Sequence, residues 1–340
     1  MRKTITLALV IALVAMIALP LAADDGTVLP GGVFRARVIP VYAWVPGSYD
    51  SSGTYTATST AASAIPNGTV TVPSIGFALE YGITSWMSAG LQWAPAINFS
   101  TVVPQSAYAG AANMDGLSDL FAGLEVQIVG PKAPVASDTL RFAVAAGVNI
   151  PFGGADFAKQ ATNAATGSAF LVQNPDIQTL GYGGRAWLDY VVSKSFFIDL
   201  YSQFIDYPGT VALKDSSLTG YKQYAGLGGF NPDVGYGYTL RFELDPHYNV
   251  DISDGISFAA NCAFRYDATP AVTWSKTSPV PSIAPSPATT YWSANPSLDF
   301  FFYKSLVPFE IDLEYGQPLA GTSTSQAYSL DMQIKVYFKF

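Results

Sequence analysis

The sequence predicts an all-β fold, a transmembrane antiparallel up-and-down β-barrel of about 12 strands, in a range of roughly 10–14. Three observations carry that prediction: the closing stretch alternates without a break, long and short connections alternate along the chain, and the chain opens on an export leader. In the closing stretch Tyr328, Leu330, Met332, Ile334, Val336, Phe338 and Phe340 are apolar and two apart. Between them lie Ser329, Asp331, Gln333, Lys335, Tyr337 and Lys339. Successive strand side chains point to opposite faces, so this is a strand with one oily and one wet side. A helix would smear both sets around its axis. At about 3.3 Å per residue the strand is long enough to cross a bilayer core at a ~45° tilt. As the bare edge of a soluble sheet it would be a template for aggregation.

Residues 1–23 read as the leader, a cleaved signal peptide. Arg2 and Lys3 start it, Ile5 to Leu19 is its apolar run, and Pro20-Leu-Ala-Ala23 offers small residues for cleavage. Asp24-Asp25 follow in place of a basic stop-transfer signal. Residues 24–340 then form a single barrel domain. No later segment reaches ~18 unbroken apolar residues, so nothing in it would lodge in the inner membrane during export. About ten residues separate the leader from the first strand, too few for a plug domain of any size.

Composition narrows the function classes. Only 12% of the 340 residues are charged, and the net charge is −8. Removing Arg2 and Lys3 leaves 17 − 2 = 15 basic against 25 acidic residues, a net charge of −10. That argues against nucleic acid as a partner, because phosphate binding needs a basic face. It favours cations over anions in any aqueous lumen. The one cysteine, Cys262, permits no internal disulfide, and it lies too far from the leader to carry a lipid anchor. One Cys and one His cannot build a structural zinc site. Gly153-Gly154 and Gly228-Gly229 lack the strand-to-helix setting that binds phosphate. No cofactor is expected.

The elements follow in order. Phe34, Ala36, Val38, Tyr42 and Trp44 share one side of the first strand, opposite Arg35 and Arg37, and Pro40 suggests a bulge. A polar loop, Gly47 to Gly68, leads to Ile75, Phe77, Leu79 and Tyr81, then a tight turn at Thr84-Ser85, then Met87, Ala89, Leu91 and Trp93. After a second long loop come Leu120 to Ile128, a short turn, and Leu140 to Ile150. A third loop leads to Leu180–Tyr190, a turn at Ser193-Lys194, and Phe196–Phe204, where both sides carry aromatics and the register stays open. Val234, Tyr236, Tyr238, Leu240, Phe242 and Leu244 share one face of the next strand, and Asp245-Pro-His-Tyr248 reads as its turn. Ile256–Tyr266, a Pro/Ser/Thr loop, Trp292–Phe302, a turn at Lys304-Ser305 and Val307–Tyr315 precede the closing strand. Long connections on one side and short ones on the other are what a barrel with short periplasmic turns and long extracellular loops requires. Trp44, Tyr81, Trp93, Tyr190, Tyr236, Tyr266, Trp292 and Tyr315 sit near strand ends, as girdle aromatics do.

With the oily faces outward, the lumen-lining candidates are Arg35, Arg37, Glu80, Asp119, Glu125, Arg141, Arg185, Asp189, Arg241, Glu243, Arg265, Asp267, Glu310, Asp312, Glu314, Asp331 and Lys335. Each would cost several kcal/mol on the lipid side. The two readings are a mutually paired wall that stabilises the barrel and a wall that sets selectivity. Glu310, Asp312 and Glu314, beside Asp331 and Lys335, form the densest acidic strip and the candidate for favouring cations. Catalysis is disfavoured. The lone histidine, His247, falls in an expected periplasmic turn, where a solvated turn histidine is favoured over a serine–histidine constellation, so an outer-membrane enzyme is the least favoured function.

The ending Tyr328, Leu330, Met332, Ile334, Val336, Phe338, Phe340 resembles the C-terminal signature of bacterial outer-membrane β-barrel proteins. That resemblance implies residence in the bacterial outer membrane, contact with its lipid, and reading of the last strand by the barrel-assembly machinery. Gly116-Leu-Ser-Asp-Leu-Phe-Ala-Gly-Leu124 is similar to a strand start of channels related to the long-chain fatty-acid transporters, including the phenol-degradation (MetA-pathway) outer-membrane family. Phe142 to Gly153 is similar to the strand that follows there, and Glu80 to Gly90 to a hairpin. The fatty-acid transporters carry an N-terminal hatch with an Asn-Pro-Ala motif, which this sequence lacks. The resemblance covers Ser74 to Gly154 and implies passive uptake of small, in part hydrophobic, molecules. The sequence also admits a structural or adhesive barrel acting through its long loops.

Overall fold

A computed structural model describes residues 26–57, 70–100, 113–117, 120–151, 179–212, 233–277 and 285–339. The expected leader, Asp119 and Phe340 lie outside these residues. Twelve long strands are the staves: β1 (Val33–Tyr49), β3 (Val70–Gly82), β4 (Met87–Ser100), β6 (Leu120–Gly130), β8 (Leu140–Ile150), β9 (Gly181–Ser193), β10 (Phe196–Ala212), β11 (Asp233–Ser253), β12 (Ile256–Thr269), β14 (Thr289–Phe302), β15 (Phe309–Thr322) and β16 (Thr324–Lys339). Four short strands, β2 (Tyr55–Ala57), β5 (Asn113–Leu117), β7 (Val135–Ala136) and β13 (Thr273–Trp274), extend the rims. No helix occurs among the described residues.

Each stave pairs antiparallel with its neighbours, and β1 with β16 and β4 with β6 complete the ring. Closure removes the sheet edge that would otherwise leave backbone groups unpaired in hydrocarbon. The closing seam is aromatic on its outer side. Phe34 sits opposite Phe338, and Trp44 stacks on Tyr328 with ring centroids 5.5 Å apart.

The burial pattern is the reverse of a soluble protein's. On β16 Asp331, Gln333 and Lys335 are at most 4% exposed, whereas Leu330 is 52% and Phe338 40% exposed. The same inversion recurs on β1, where Arg37 is buried and Val38 and Tyr42 are exposed. On β11 Arg241, Glu243 and Asp245 are buried while Phe242 and Leu244 are exposed. A surface of exposed Leu, Phe and Tyr around a buried polar interior is stable only where hydrocarbon is the surrounding solvent.

Tight connections gather at one end of the barrel, at 83–86, 194–195, 254–255 and 303–308. The opposite end carries the longer ones, with one exception. Ser323, at φ 50°, is the only residue between β15 and β16. On that rim the Asp50 carboxylate accepts from the Ser52 hydroxyl and from the Thr54 and Ser52 backbone N–H groups, in that order of strength, which holds its pKa below the ordinary value.

The structure corrects several expectations. Pro40 produces no register shift; on β1 the shift lies between Trp44 and Gly47. Val234 and Tyr236 do not share the outer face of Tyr238. Gly237 adopts φ 74°, open to glycine at little cost, and the strand rolls over there. Val234 is buried as a result, and Tyr236 packs against Phe121, Ile205 and Tyr207 in place of standing in the outer girdle. The open register of Phe196–Phe204 resolves with Phe197, Tyr201 and Gln203 inward and Leu200 and Phe204 outward. His247 is not in a turn. β11 runs six residues past it, and the turn is Asp254-Gly255.

Candidate functional site: the barrel lumen

Each stave delivers its inward residues at every second position, so charges on neighbouring strands meet in register. β1 and β3 bring Arg35 opposite Glu80. Arg35 bonds that carboxylate through Nε, and Arg37 donates to its other oxygen at 2.6 Å. β15 and β16 place Glu310 opposite Lys335, Asp312 opposite Gln333 and Glu314 opposite Asp331. Lys335 bonds Glu310, lies 3.7 Å from Asp299 and 3.9 Å from Asp312, and so serves three acids. The acidic strip is therefore a partly neutralised band around one lysine.

A second network spans β11, β12 and β15. Arg265 Nε donates to Glu243 Oε1 at 2.8 Å, and its Nη1 lies 3.5 Å from Glu314. Arg241 donates to Asp267 at 2.6 Å and lies 3.7 Å from Glu243. A third pair joins Arg141 to Asp189 at 3.3 Å. Glu125 accepts from Ser88 at 3.1 Å. Isolated ions so far from water are unstable, and pairing across staves is what makes their burial tolerable.

Four inward residues escaped the sequence reading. Asp199, Asp245 and Asp299 join the lumen charges, and His247 joins them with its Nε2 2.9 Å from Asp245 and its ring stacked on Phe197 at 4.4 Å. Asp299 had a visible signal, since Ser293, Asn295, Ser297 and Asp299 are polar at every second position. Asp245 was hidden by the proline after it. The β11–β12 ladder lapses at Asp245 and Pro246, and the Asp245 carboxylate accepts the Cys262 N–H at 3.1 Å.

Residues 26–32, ahead of β1, enter the lumen. Leu29 and Pro30 press on Gly82, where an added Cβ would lie 2.1 Å from the Pro30 carbonyl. Gly26 then reaches across to other staves, its N–H donating to Asp189 at 3.0 Å and its carbonyl accepting from Gln127 at 2.6 Å. Seven residues thus strap the short-turn mouth.

On β1, β10, β14 and β16 the charged inward residues lie toward the short-turn end. Uncharged ones lie toward the other: Ile39, Val41, Ala43 and Val45 on β1, Ile205 and Tyr207 on β10, Tyr291 on β14 and Ala327 on β16. Among the described residues no group of three or more His, Cys, Asp or Glu side chains is placed to hold a metal ion.

Comparison of the coordinates with solved structures finds the same architecture. The COG4313 outer membrane channel from Pseudomonas putida F1 superposes with a TM-score of 0.60, covering 94% of this chain and 100% of that one at 11% identity. The chain has the fold of an outer-membrane channel. More distantly, at TM-scores of 0.38, the barrel aligns with a Pseudomonas aeruginosa FadL homologue (11% identity, 90% of each chain) and with the P. putida toluene transporter TodX (11% identity, 92% of this chain and 91% of that one). No family model and no curated protein sequence matches the outer-membrane barrel described here.

Proposed function

We propose that the chain is a channel of the bacterial outer membrane for passive uptake of small, in part hydrophobic, molecules. The observation that carries this reading is the graded inner wall. On β1, β10, β14 and β16 the inward side chains toward the long loops are uncharged, among them Ile39, Val41, Ile205, Tyr207 and Tyr291, and the charged ones lie toward the short turns. A solute entering from outside would meet oily surface first and polar surface second. A barrel kept only as an anchor or as a scaffold for adhesive loops has no need of that order. The closing strand β16, whose oily face is turned outward, is in this reading the segment presented to the assembly machinery.

The inner side chains are packed closely, many below 5% exposure, as on a wall where Asp189, Asp199 and Asn295 are at most 2% exposed. Barrels of about 16–18 strands leave a wide aqueous channel. This one, with fewer staves and closely packed inner side chains, is expected to pass small solutes slowly. Liposomes carrying the folded protein should swell in small aromatic and amphipathic solutes and not in disaccharides, and planar bilayers should show discrete currents far below those of a wide porin. Complete absence of current and swelling would instead leave the adhesive reading standing.

A further inference from the structure

Among the described residues the arginines and the lysine of the inner wall meet carboxylates, with one exception. Arg185 on β9 has no carboxylate within salt-bridge distance among the described residues. Its Nη1 donates to the neutral amide oxygen of Gln92 at 2.7 Å. Its guanidinium carbon stands 4.0 Å from the centre of the Phe121 ring. Its Nε is cut off from solvent with no acceptor. An amide dipole and a ring quadrupole attract a cation but do not neutralise it, and a charge left so is costly inside a barrel.

Arg185 faces a cavity of about 70 Å³ between the wall and the N-terminal strap. Arg35, Arg37, Glu80 and Glu125 border it too, so its rim holds three cations and two carboxylates. The uncompensated charge is one positive. Three aromatic side chains line the cavity as well, Phe121, Trp187 and Tyr201, with the last two rings 5.3 Å apart. Phe121 can lie flat there because two glycines flank it, Gly123 two residues on along β6 and Gly147 opposite Gly123 on β8. A Cβ on Gly123 would come within 2.8 Å of the ring, and one on Gly147 within 2.5 Å. By the same measure a water needs roughly 10–15 Å³, so the cavity has room for one small organic molecule.

We infer that this cavity is a binding site for a small aromatic monocarboxylate, its carboxylate on Arg185 and its ring beside Phe121, Trp187 and Tyr201. A planar guanidinium takes a carboxylate through two parallel hydrogen bonds, and the orphaned Nε is one of the donors that such a fork uses. The ligand supplies the missing negative charge, and the aromatic sides select what the charge is attached to. The site rests on the channel reading, as a station along the path just inside the strap.

The test is calorimetric titration of the full folded protein in detergent with benzoate, with its neutral isostere benzamide, and with acetate. Benzoate is expected to bind at least tenfold more tightly than either. In Arg185→Gln benzoate should fall to the level of benzamide, with benzamide unchanged, and Phe121→Leu should weaken benzoate while sparing acetate. Equal binding of benzoate and benzamide in the wild type overturns the inference, whether or not either variant folds. So does equal binding of benzoate and acetate, or an unchanged benzoate affinity in Arg185→Gln. Conductance without benzoate binding removes this site and leaves the channel; binding without conductance removes the channel and leaves the site.

Discussion

Arg265→Met is expected to destabilise the folded barrel by about 3–5 kcal/mol, the usual cost of taking one partner from a buried ionic network. Arg265 is 7% exposed and stands between Glu243, at 2.8 Å, and Glu314, at 3.5 Å. Glu314 lies directly across the β15–β16 ladder from Asp331, so two carboxylates already face each other there. Methionine fills most of the space but leaves Glu243 dependent on Arg241 alone, 3.7 Å away. It leaves Glu314 beside Asp331 with the nearest cation gone. Reversible denaturant unfolding in detergent or lipid measures the loss. The double variant Arg265→Met/Glu243→Gln should recover part of it, because contacting residues do not contribute additively. A loss below ~1 kcal/mol, or strict additivity, would mean that water reaches these groups and that the wall is solvated.

Leu244→Arg tests the outer face and carries the second large effect. Leu244 is exposed, paired with Leu200 on one side and Phe264 on the other. It lies one outward position nearer the short-turn end than Phe242, which sits across from Tyr266 of the outer aromatic pair Tyr266–Trp292. That places it within the apolar belt, whereas Leu240, level with Ala268, is already beyond the girdle. An arginine at the bilayer midplane on the lipid face of a barrel costs ~2–4 kcal/mol. Folding yield into preformed bilayers should collapse for Leu244→Arg. Ser257→Arg, on the inward face opposite Asp251, adds the same charge where a partner waits and should fold as the wild type does. Equal yields for the two variants would contradict the assigned facing, and a collapse of Ser257→Arg alone would show that the inward and outward sides have been exchanged.

These two positions also show why some of the barrel was readable from sequence and some was not. Alternation is legible wherever one face is oily and the other polar. β16, β12 and the middle of β11 meet that condition, and their facings follow from the residue order. On β10 the lumen itself accepts rings, so Phe197 and Tyr201 inside match Phe204 outside in chemistry and the pattern carries no sign. Tyr236 misled for a related reason. One glycine with positive φ inverts everything before it, and nothing in the alternation of Val234, Tyr236 and Tyr238 announces the inversion. Asp245-Pro246-His247 has the composition of a turn, yet the barrel tolerates the proline by letting a carboxylate replace one rung of the ladder. The acidic strip was visible as a strip, while its neutralisation by Lys335 depends on which oxygens that one ammonium reaches. Arg185 stood among the lumen candidates like any other charge. That no carboxylate among the described residues pairs with it is a property of strands folded together and has no counterpart in local sequence.

The central claim is that hydrocarbon bathes every second side chain. Two single-tryptophan variants test it most directly, one retaining Trp292, 47% exposed on the outer face, and one retaining Trp187, 8% exposed on the inner. Each is folded into bilayers whose acyl chains carry bromine, which quenches indole fluorescence on contact. Strong quenching of Trp292 with Trp187 spared is the predicted result. Equal quenching of both, or none at Trp292, would contradict it.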